Sequence, residues 1–400
     1  VHLPQVLQGS ATALPWPDES FDAVLTDPPY YDNVPYADLS DFFYVWLKRT
    51  IGDLHPDLFA TPLTPKAQEI VADASKAGSM EAARRRFEEM LTQSFREIYR
   101  VLKPEGLAVI VFAYPRTEAW EAVIGALLSA GLYLTASWPI HTEMSARLRA
   151  QESAALASSI YMVCRKRTTH AIGDYATVRP AIRARIRERL PHFWRAGIRG
   201  ADFFMSAIGP AVEVFGRYAR VERHSGEPVT VADLLNDVRQ EVAEYALEQI
   251  LGAGGVGGLD PATRFYILWR WTFGRARVPF DEARKLGQAV GVEVRALTTP
   301  GGFVRQKGEE VMVLGPHERD QRLLAGQPAT LLDALHQAAL LWERSQRSAL
   351  ADLLARRGSE EFWLVAQAIA AVLPAGEKEK QLLEGLLGAR ASGLEHPRLW

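Results

Sequence analysis

Four hundred residues, 48% apolar and 24% charged with a net charge near −2, hold material for two or three domains. That balance excludes a disordered acidic tail and a uniformly basic nucleic-acid binder. The lone cysteine, Cys164, excludes an intramolecular disulfide and a cysteine-based zinc ribbon, nine scattered histidines make no visible metal set, and the longest apolar run, Leu107–Tyr114, falls far short of the roughly 20 residues of a membrane helix.

In chain order, the opening VHLPQVLQGS lacks a basic stretch followed by an apolar one, so the expectation is a cytoplasmic protein without signal peptide or membrane partner. QVLQGSATAL reads as a short strand and loop, and FDAVLTD as a buried strand ending at Asp27. Ser40 can cap a helix over DFFYVWLKRT, and Thr64 followed by Pro65 predicts a further helix start. A long amphipathic helix is expected from Met80 to Tyr99, closed by LKPEG. LAVIVFAY follows as an apolar strand of the parallel type, then a helix from Thr117 or Glu118 to Ser129, then LYLTASWPI and SSIYMVCRK as two more strands. Strands alternating with helices predict a doubly wound α/β sheet across residues 1–170.

Beyond residue 170 the pattern turns helical. Helices are expected over Arg183–Trp194, over VTVADLLNDVRQEVAEYALEQIL with Thr230 as cap, over DPATRFYILWRW and over FDEARKLGQAVG. A β-hairpin is expected across VEVRALTT to EEVMVLG, and three Leu- and Ala-rich helices from Thr330 onward. This gives segments 1–170, 171–315 and 316–400. GAGGVGG has no strand before it and reads as a linker rather than a cofactor loop. The aromatics of YILW and WRWTF stand at helical spacing and read as core. Charge is segregated: residues 1–150 hold 13 Lys/Arg against 19 Asp/Glu, and residues 178–223 hold 10 Arg against 4 acids, 10 − 4 = +6. Such a basic zone suits a nucleic-acid partner and equally a solvated arginine-rich helix.

The sharpest chemical feature is Asp27-Pro28-Pro29-Tyr30, directly after the FDAVLT strand. Open α/β sheets bind ligands at carboxyl-terminal strand ends. An exocyclic base amine, conjugated to its ring, is a poor nucleophile. A carboxylate and a backbone carbonyl held by the rigid Pro-Pro segment can accept its two N–H bonds. Both interactions strengthen as the nitrogen gains positive character. Tyr30 can stack on a base extruded from a duplex. Tyr31, Asp32, Asn33 and Tyr36 follow on the same loop and can line a substrate pocket or merely pack the loop. His141 and Glu143, in PIHTEM at a strand end, are further substrate-side candidates, and Arg147 and Arg149 can meet phosphate.

TDPPY resembles the catalytic motif of amino-methyltransferases acting on adenine N6 or cytosine N4 in DNA. The wider DAVLTDPPYYDNVPYADLSDFFYVWLKR is similar to the DUF1156-type adenine-specific DNA methylases, and the resemblance continues in SWPIHTEM, SSIYMVCRKR, AIGPAVEVFGRY and LDPATRFYILWRW, to about residue 315. It implies that Asp27, Pro28 and Tyr30 are catalytic, with Pro29 shaping the loop. It also implies S-adenosylmethionine as methyl donor, DNA as partner, adenine as the family's base with cytosine left open, and direct transfer without a covalent enzyme intermediate.

The resembled family carries a glycine-rich cofactor turn before this motif. Only 26 residues precede Asp27 here and none forms that turn; no copy lies downstream, and the acidic residue expected after a second strand is missing. Ser10 and Asp18 are the remaining cofactor-side candidates. The resembled sheet has strand order 3-2-1-4-5-7-6, in which QVLQGSATAL and FDAVLT correspond to strands three and four, leaving strand four without its neighbour. The expectation is therefore a partial Rossmann-like methyltransferase sheet followed by a mostly helical region. Three outcomes fit: a separately encoded half completes it, strand three slides beside strand four, or the chain is a poorly folding remnant. The alternative from another class is a non-catalytic nucleic-acid-binding or assembly subunit derived from such an enzyme. Methylation of an amine on RNA or protein is a further enzyme reading.

Overall fold

The computed structural model describes residues 4–31, 34–114, 116–141, 158–252, 257–319 and 326–391. They form a mixed α/β protein with a four-stranded mixed sheet, two small sheets and many helices. The chain divides into two compact units, one of residues 1–142, 158–182 and 208–233, the other of residues 143–157, 183–207 and 234–400. The sequence boundaries at 170 and 315 do not coincide with this division.

In the first unit, β1 (Phe21–Thr26), β2 (Leu102–Phe112), β3 (Leu132–His141) and β4 (Ser158–Lys166) stand in the order β1-β2-β4-β3. β1 runs parallel to β2, and β4 is antiparallel to both β2 and β3. Between β1 and β2 lie α1 (Tyr36–Ile51), the single turn α2 (Ala74–Ala77) and α3 (Met80–Val101); α4 (Thr117–Ser129) follows β2. The Ser79 hydroxyl caps α3 by accepting from Ala82 N at 3.1 Å. The i, i+4 stripe of Phe87, Leu91, Phe95 and Ile98 turns one face of α3 inward. α3 packs against α4, and the Trp120 ring of α4 meets Phe112 of β2 edge-on at 4.9 Å. These helices cover one sheet face, burying Ala108, Ile110, Phe112, Ile160, Met162 and Cys164. On the other face Leu107, Val109, Val111, Tyr161 and Val163 are half-buried, and Leu25 is 76% exposed.

Sequence expectations for this unit fail at several places. Ser40 lies inside α1, which Pro35 precedes, FDAVLT forms a strand with no buried residue, and LKPEG is the start of β2 rather than a turn. Residues 4–20 contribute one isolated bridge, Ser10 to Ala13, instead of a strand, and β1 has no strand partner besides β2 among the described residues. Thr64-Pro65 opens no helix. The Thr64 hydroxyl donates to Ala37 O at 2.6 Å and its N–H donates to Asp41 Oδ1 at 3.0 Å, which ties the segment to α1. The opposite sheet edge is covered. The second half of a later helix, Gly200–Phe215, passes β3 so closely that a Cβ on Gly209 would lie 1.8 Å from Ser137 Oγ.

Later elements are β5 (Ile172–Asp174), α5 (Tyr175–Arg195), α6 (Gly200–Phe215), β6 (Arg220–Glu222), α7 (Val231–Leu251), α8 (Pro261–Phe273), β7 (Val278–Pro279) and α9 (Phe280–Val290). β8 (Val304–Lys307), β9 (Glu310–Val313), α10 (Leu331–Glu343), α11 (Arg347–Arg357), α12 (Glu360–Val372) and α13 (Lys378–Ala391) complete the order. The expected hairpin is narrower than its sequence suggests: β8 pairs with β9, β7 adds a third strand, and Val294–Thr298 is a 3₁₀ turn. Four helices rather than three follow Thr330 among the described residues. Thr330 caps α10 in a reciprocal box with Asp333. Tyr266, Trp269 and Phe265 are fully buried, as their helical spacing predicts.

The second unit also buries an ionic cluster. Tyr266 donates to Glu379 Oε1 at 2.7 Å, and Arg270 pairs with Glu377 and Glu379. Arg319 donates to Asp333 at 2.6 Å and lies 3.2 Å from His336 Nδ1, while His336 Nε2 lies 3.4 Å from Glu379 Oε1. Burial pushes the His336 pKa below its ordinary value, against the pull of the Glu379 carboxylate. The folded state therefore favours the neutral ring, whereas the unfolded ring takes up a proton near pH 6.5. This contribution to stability is full above about pH 6.5 and is lost as the pH falls below it, at up to about 1.4 kcal/mol per pH unit. Thermal melts between pH 7.5 and 5 are expected to show a falling midpoint for the wild type and a flatter profile for His336→Gln; equal slopes would contradict this.

Candidate active site at the end of the edge strand

Asp27 follows β1 directly, at the carboxyl-terminal end of a parallel strand. Its carboxylate is exposed, Pro28 is buried and Pro29 and Tyr30 are half-buried. The Tyr30 hydroxyl lies near the Asp27 carboxylate, and its ring sits edge-on to Phe112 at 5.4 Å. Burial, then the nearby Asp27 carboxylate, then the neighbouring Tyr36 and Tyr161 phenols push the Tyr30 pKa up. Tyr30 thus stays protonated at neutral pH, beside the Asp27 carboxylate.

The turn after the motif is fixed from several sides. Tyr31 has φ +53°, a left-handed conformation that costs a non-glycine residue about 1–2 kcal/mol. Its N–H donates to Pro29 O at 3.2 Å and its carbonyl accepts from Ala72 N at 3.0 Å. Its ring is buried against Phe87 at 5.1 Å and Tyr114 at 6.0 Å. These contacts hold the strained turn, the arrangement in which strain pre-organises a site.

The structure brings some sequence candidates together and leaves others apart. Asp27, Tyr30 and Tyr36 share one locus; Tyr36 opens α1 and is 49% exposed. Tyr31 is adjacent; its buried ring shapes the turn and also borders a cavity of about 370 Å³ with Arg84, Glu88 and Glu118. His141 ends β3, at the same end of the sheet as Asp27 but across β2 and β4 and three residues further along the register. Asn33 and Glu143, with Asp32, Arg147 and Arg149, lie outside the described residues. Ser10 bonds to the Thr12 hydroxyl at 2.8 Å. Asp18 pairs with Arg100 at 2.8 Å where β1 begins, a full strand length from Asp27. Neither joins the Asp27 locus.

Sequence reasoning missed Tyr161. It lies on β4 opposite Val111 of β2 and Trp138 of β3, and only this register brings its phenol near Tyr30. Cavities in this unit lie elsewhere: one of about 360 Å³ is lined by Tyr133, Arg167 and Arg217, another of about 370 Å³ by Arg84, Glu88 and Glu118. Neither includes Asp27 or Tyr30, although the second is also lined by Tyr31.

The basic zone also changes meaning. In the second unit Arg183 and Arg187 both pair with Glu241 of α7, and Arg187 also reaches Glu244 at 3.2 Å and Glu248 at 3.5 Å. In the first unit Arg220 pairs with Glu222 and Arg223 with Asp233. Carboxylates of Asp233, Glu241, Glu244 and Glu248, all beyond the segment that reads as +6, offset much of its charge. Arg195 and Arg199 stay exposed, with Arg199 stacked over Trp194 at 4.1 Å. No helix among the described residues is long and apolar enough to cross a membrane. No family model, no curated protein and no solved structure matches the chain.

Proposed function

We propose that the first unit is the acceptor-side half of an S-adenosylmethionine-dependent DNA amino-methyltransferase of the cytoplasm, with adenine N6 the acceptor that the DUF1156-type resemblance implies. The observation carrying this reading is the Asp27-Pro28-Pro29-Tyr30 turn: an exposed carboxylate at a parallel strand end, held by a buried strained Tyr31. Asp27 accepts one amine N–H and the Pro28 carbonyl the other. Both stabilise positive charge as it grows on the nitrogen. Tyr30 offers aromatic surface to an extruded base. The order β1-β2-β4-β3, with β4 antiparallel, agrees with the 4-5-7-6 portion of the resembled sheet.

The residues present do not fit a complete cofactor site. No glycine turn adjoins β1 among the described residues, and Ser10 and Asp18 are engaged away from Asp27. This reading requires a cofactor-binding half outside these 400 residues, and the outer edge of β1 is where its strand would pair. A non-catalytic nucleic-acid-binding or assembly role is the second reading, favoured by that same missing cradle. Calorimetry separates the cases. The purified chain is expected to show no micromolar binding of S-adenosylmethionine, and micromolar binding would overturn the acceptor-half reading. Tritium transfer from methyl-labelled donor to unmethylated DNA, by the chain produced together with its neighbouring reading frames, is the positive outcome; no transfer favours the non-catalytic role.

A further inference from the structure

α1 is attached by its polar face. Ala37 N donates to Glu69 at 2.8 Å, Asp41 pairs with Lys66 at 2.5 Å, and Tyr44 and Lys48 donate to Thr61 O at 2.8 and 2.7 Å. Residues 37, 41, 44 and 48 form one stripe at helical spacing. The opposite stripe, Tyr36, Leu39, Phe42, Phe43, Trp46 and Leu47, is apolar and each side chain is between 47% and 67% exposed. No residue of α1 is buried. An amphipathic helix docked with its apolar face outward leaves a patch of roughly 700 Å², taking aromatic side chains at about 150–250 Å² each, larger than monomers ordinarily expose.

We infer that this face is a two-fold interface with a second copy of the chain, α1 packing antiparallel on α1 of the partner copy. Two such patches bury roughly 1,400 Å² in total, within the range of stable specific interfaces. The charges fit that geometry. Asp38 lies in the first turn, paired with Lys76 at 3.1 Å, and Arg49 in the last, over the Trp46 ring; both are exposed and on the same flank of the apolar stripe. They stand equally far from the helix midpoint between Phe43 and Tyr44. An antiparallel two-fold pair therefore sets Asp38 of each copy beside Arg49 of the other, whereas a parallel pair would put the two Asp38–Arg49 flanks on opposite sides of the pair. The antiparallel helix dipoles agree with the same arrangement.

Sedimentation equilibrium on the full chain from about 1 to 50 μM tests this. The wild type is expected to be a dimer. Phe43→Glu, an exposed change whose fold is checked by circular dichroism, is expected to weaken the dimer by at least about 100-fold. Asp38→Arg and Arg49→Asp are each expected to weaken it about tenfold, and the double swap to restore it. A monomeric wild type, open-ended aggregation in place of a dimer, a dimer indifferent to Phe43→Glu, or a double swap that fails to restore association would each overturn the inference.

Discussion

Asp27→Ala is expected to reduce methyl transfer by the completed enzyme at least about a thousandfold while shifting the thermal midpoint little. The two halves of that expectation rest on different observations. The carboxylate is exposed, so its removal lies in the range of about ±0.5 kcal/mol typical of surface changes. The turn that carries it is held by Tyr31 packing and by the Ala72 hydrogen bond, neither of which uses the Asp27 side chain. Its chemical part is larger because an acceptor aimed at developing charge acts most strongly in the transition state; losing one such group costs roughly 10²–10³ in rate. Losing the Tyr30 contact as well, and with it the orientation of the ring that meets the base, sets the expectation at the upper end. Asp27→Asn is informative beside it: the amide keeps one acceptor oxygen but not the charge. An intermediate rate would show that hydrogen-bond direction and charge contribute separately. Steady-state rates with labelled donor, paired with thermal melts, read both quantities, and an unchanged rate in Asp27→Ala would remove the assigned role.

Arg270→Met is expected to cost the second unit about 3–5 kcal/mol, the range for removing one partner of a buried ion pair. Arg270 is 3% exposed and faces both Glu377 and Glu379. Methionine fills a similar volume but leaves two carboxylates in a low-dielectric surrounding, with the Tyr266 hydroxyl at 2.7 Å and the neutral His336 ring at 3.4 Å the close groups left on Glu379. The contrast is Arg390, whose pair with the exposed Glu360 lies at the surface and is worth less than about 1 kcal/mol. Urea unfolding of the two variants in parallel checks the difference. A loss below about 1 kcal/mol for Arg270→Met would mean that the carboxylates shed their charge or find water instead.

Local features of the site were legible in the sequence, and those assembled by register or packing were not. The strand FDAVLT, its end at Asp27 and the long helix from Met80 follow from apolar runs, a proline pair and 3.6-residue periodicity, which act within a few residues of each other. Tyr161 stands some 130 positions from Tyr30, and only the β2–β4 register brings it near. The apolar stripe of α1 is plain in the sequence, but periodicity alone predicts that such a stripe points inward. Contacts from Thr61, Thr64, Lys66 and Glu69 to the polar face reverse it. The arginine-rich segment reads as a basic patch because the carboxylates that offset it, Glu241, Glu244 and Glu248, come from a helix about 60 residues later. The ionic cluster is drawn from Tyr266, Arg270, Arg319, His336 and Glu379, residues scattered over more than a hundred positions.

The central claim is that Asp27 presents a base amine for methylation. Its most direct test is nucleoside mass spectrometry of DNA from a host without adenine methylation, carrying the chain with its neighbouring reading frames. The account predicts N6-methyladenine with the wild type and its loss with Asp27→Ala. An absence of any methylated amino base, or an undiminished level in Asp27→Ala, would contradict it.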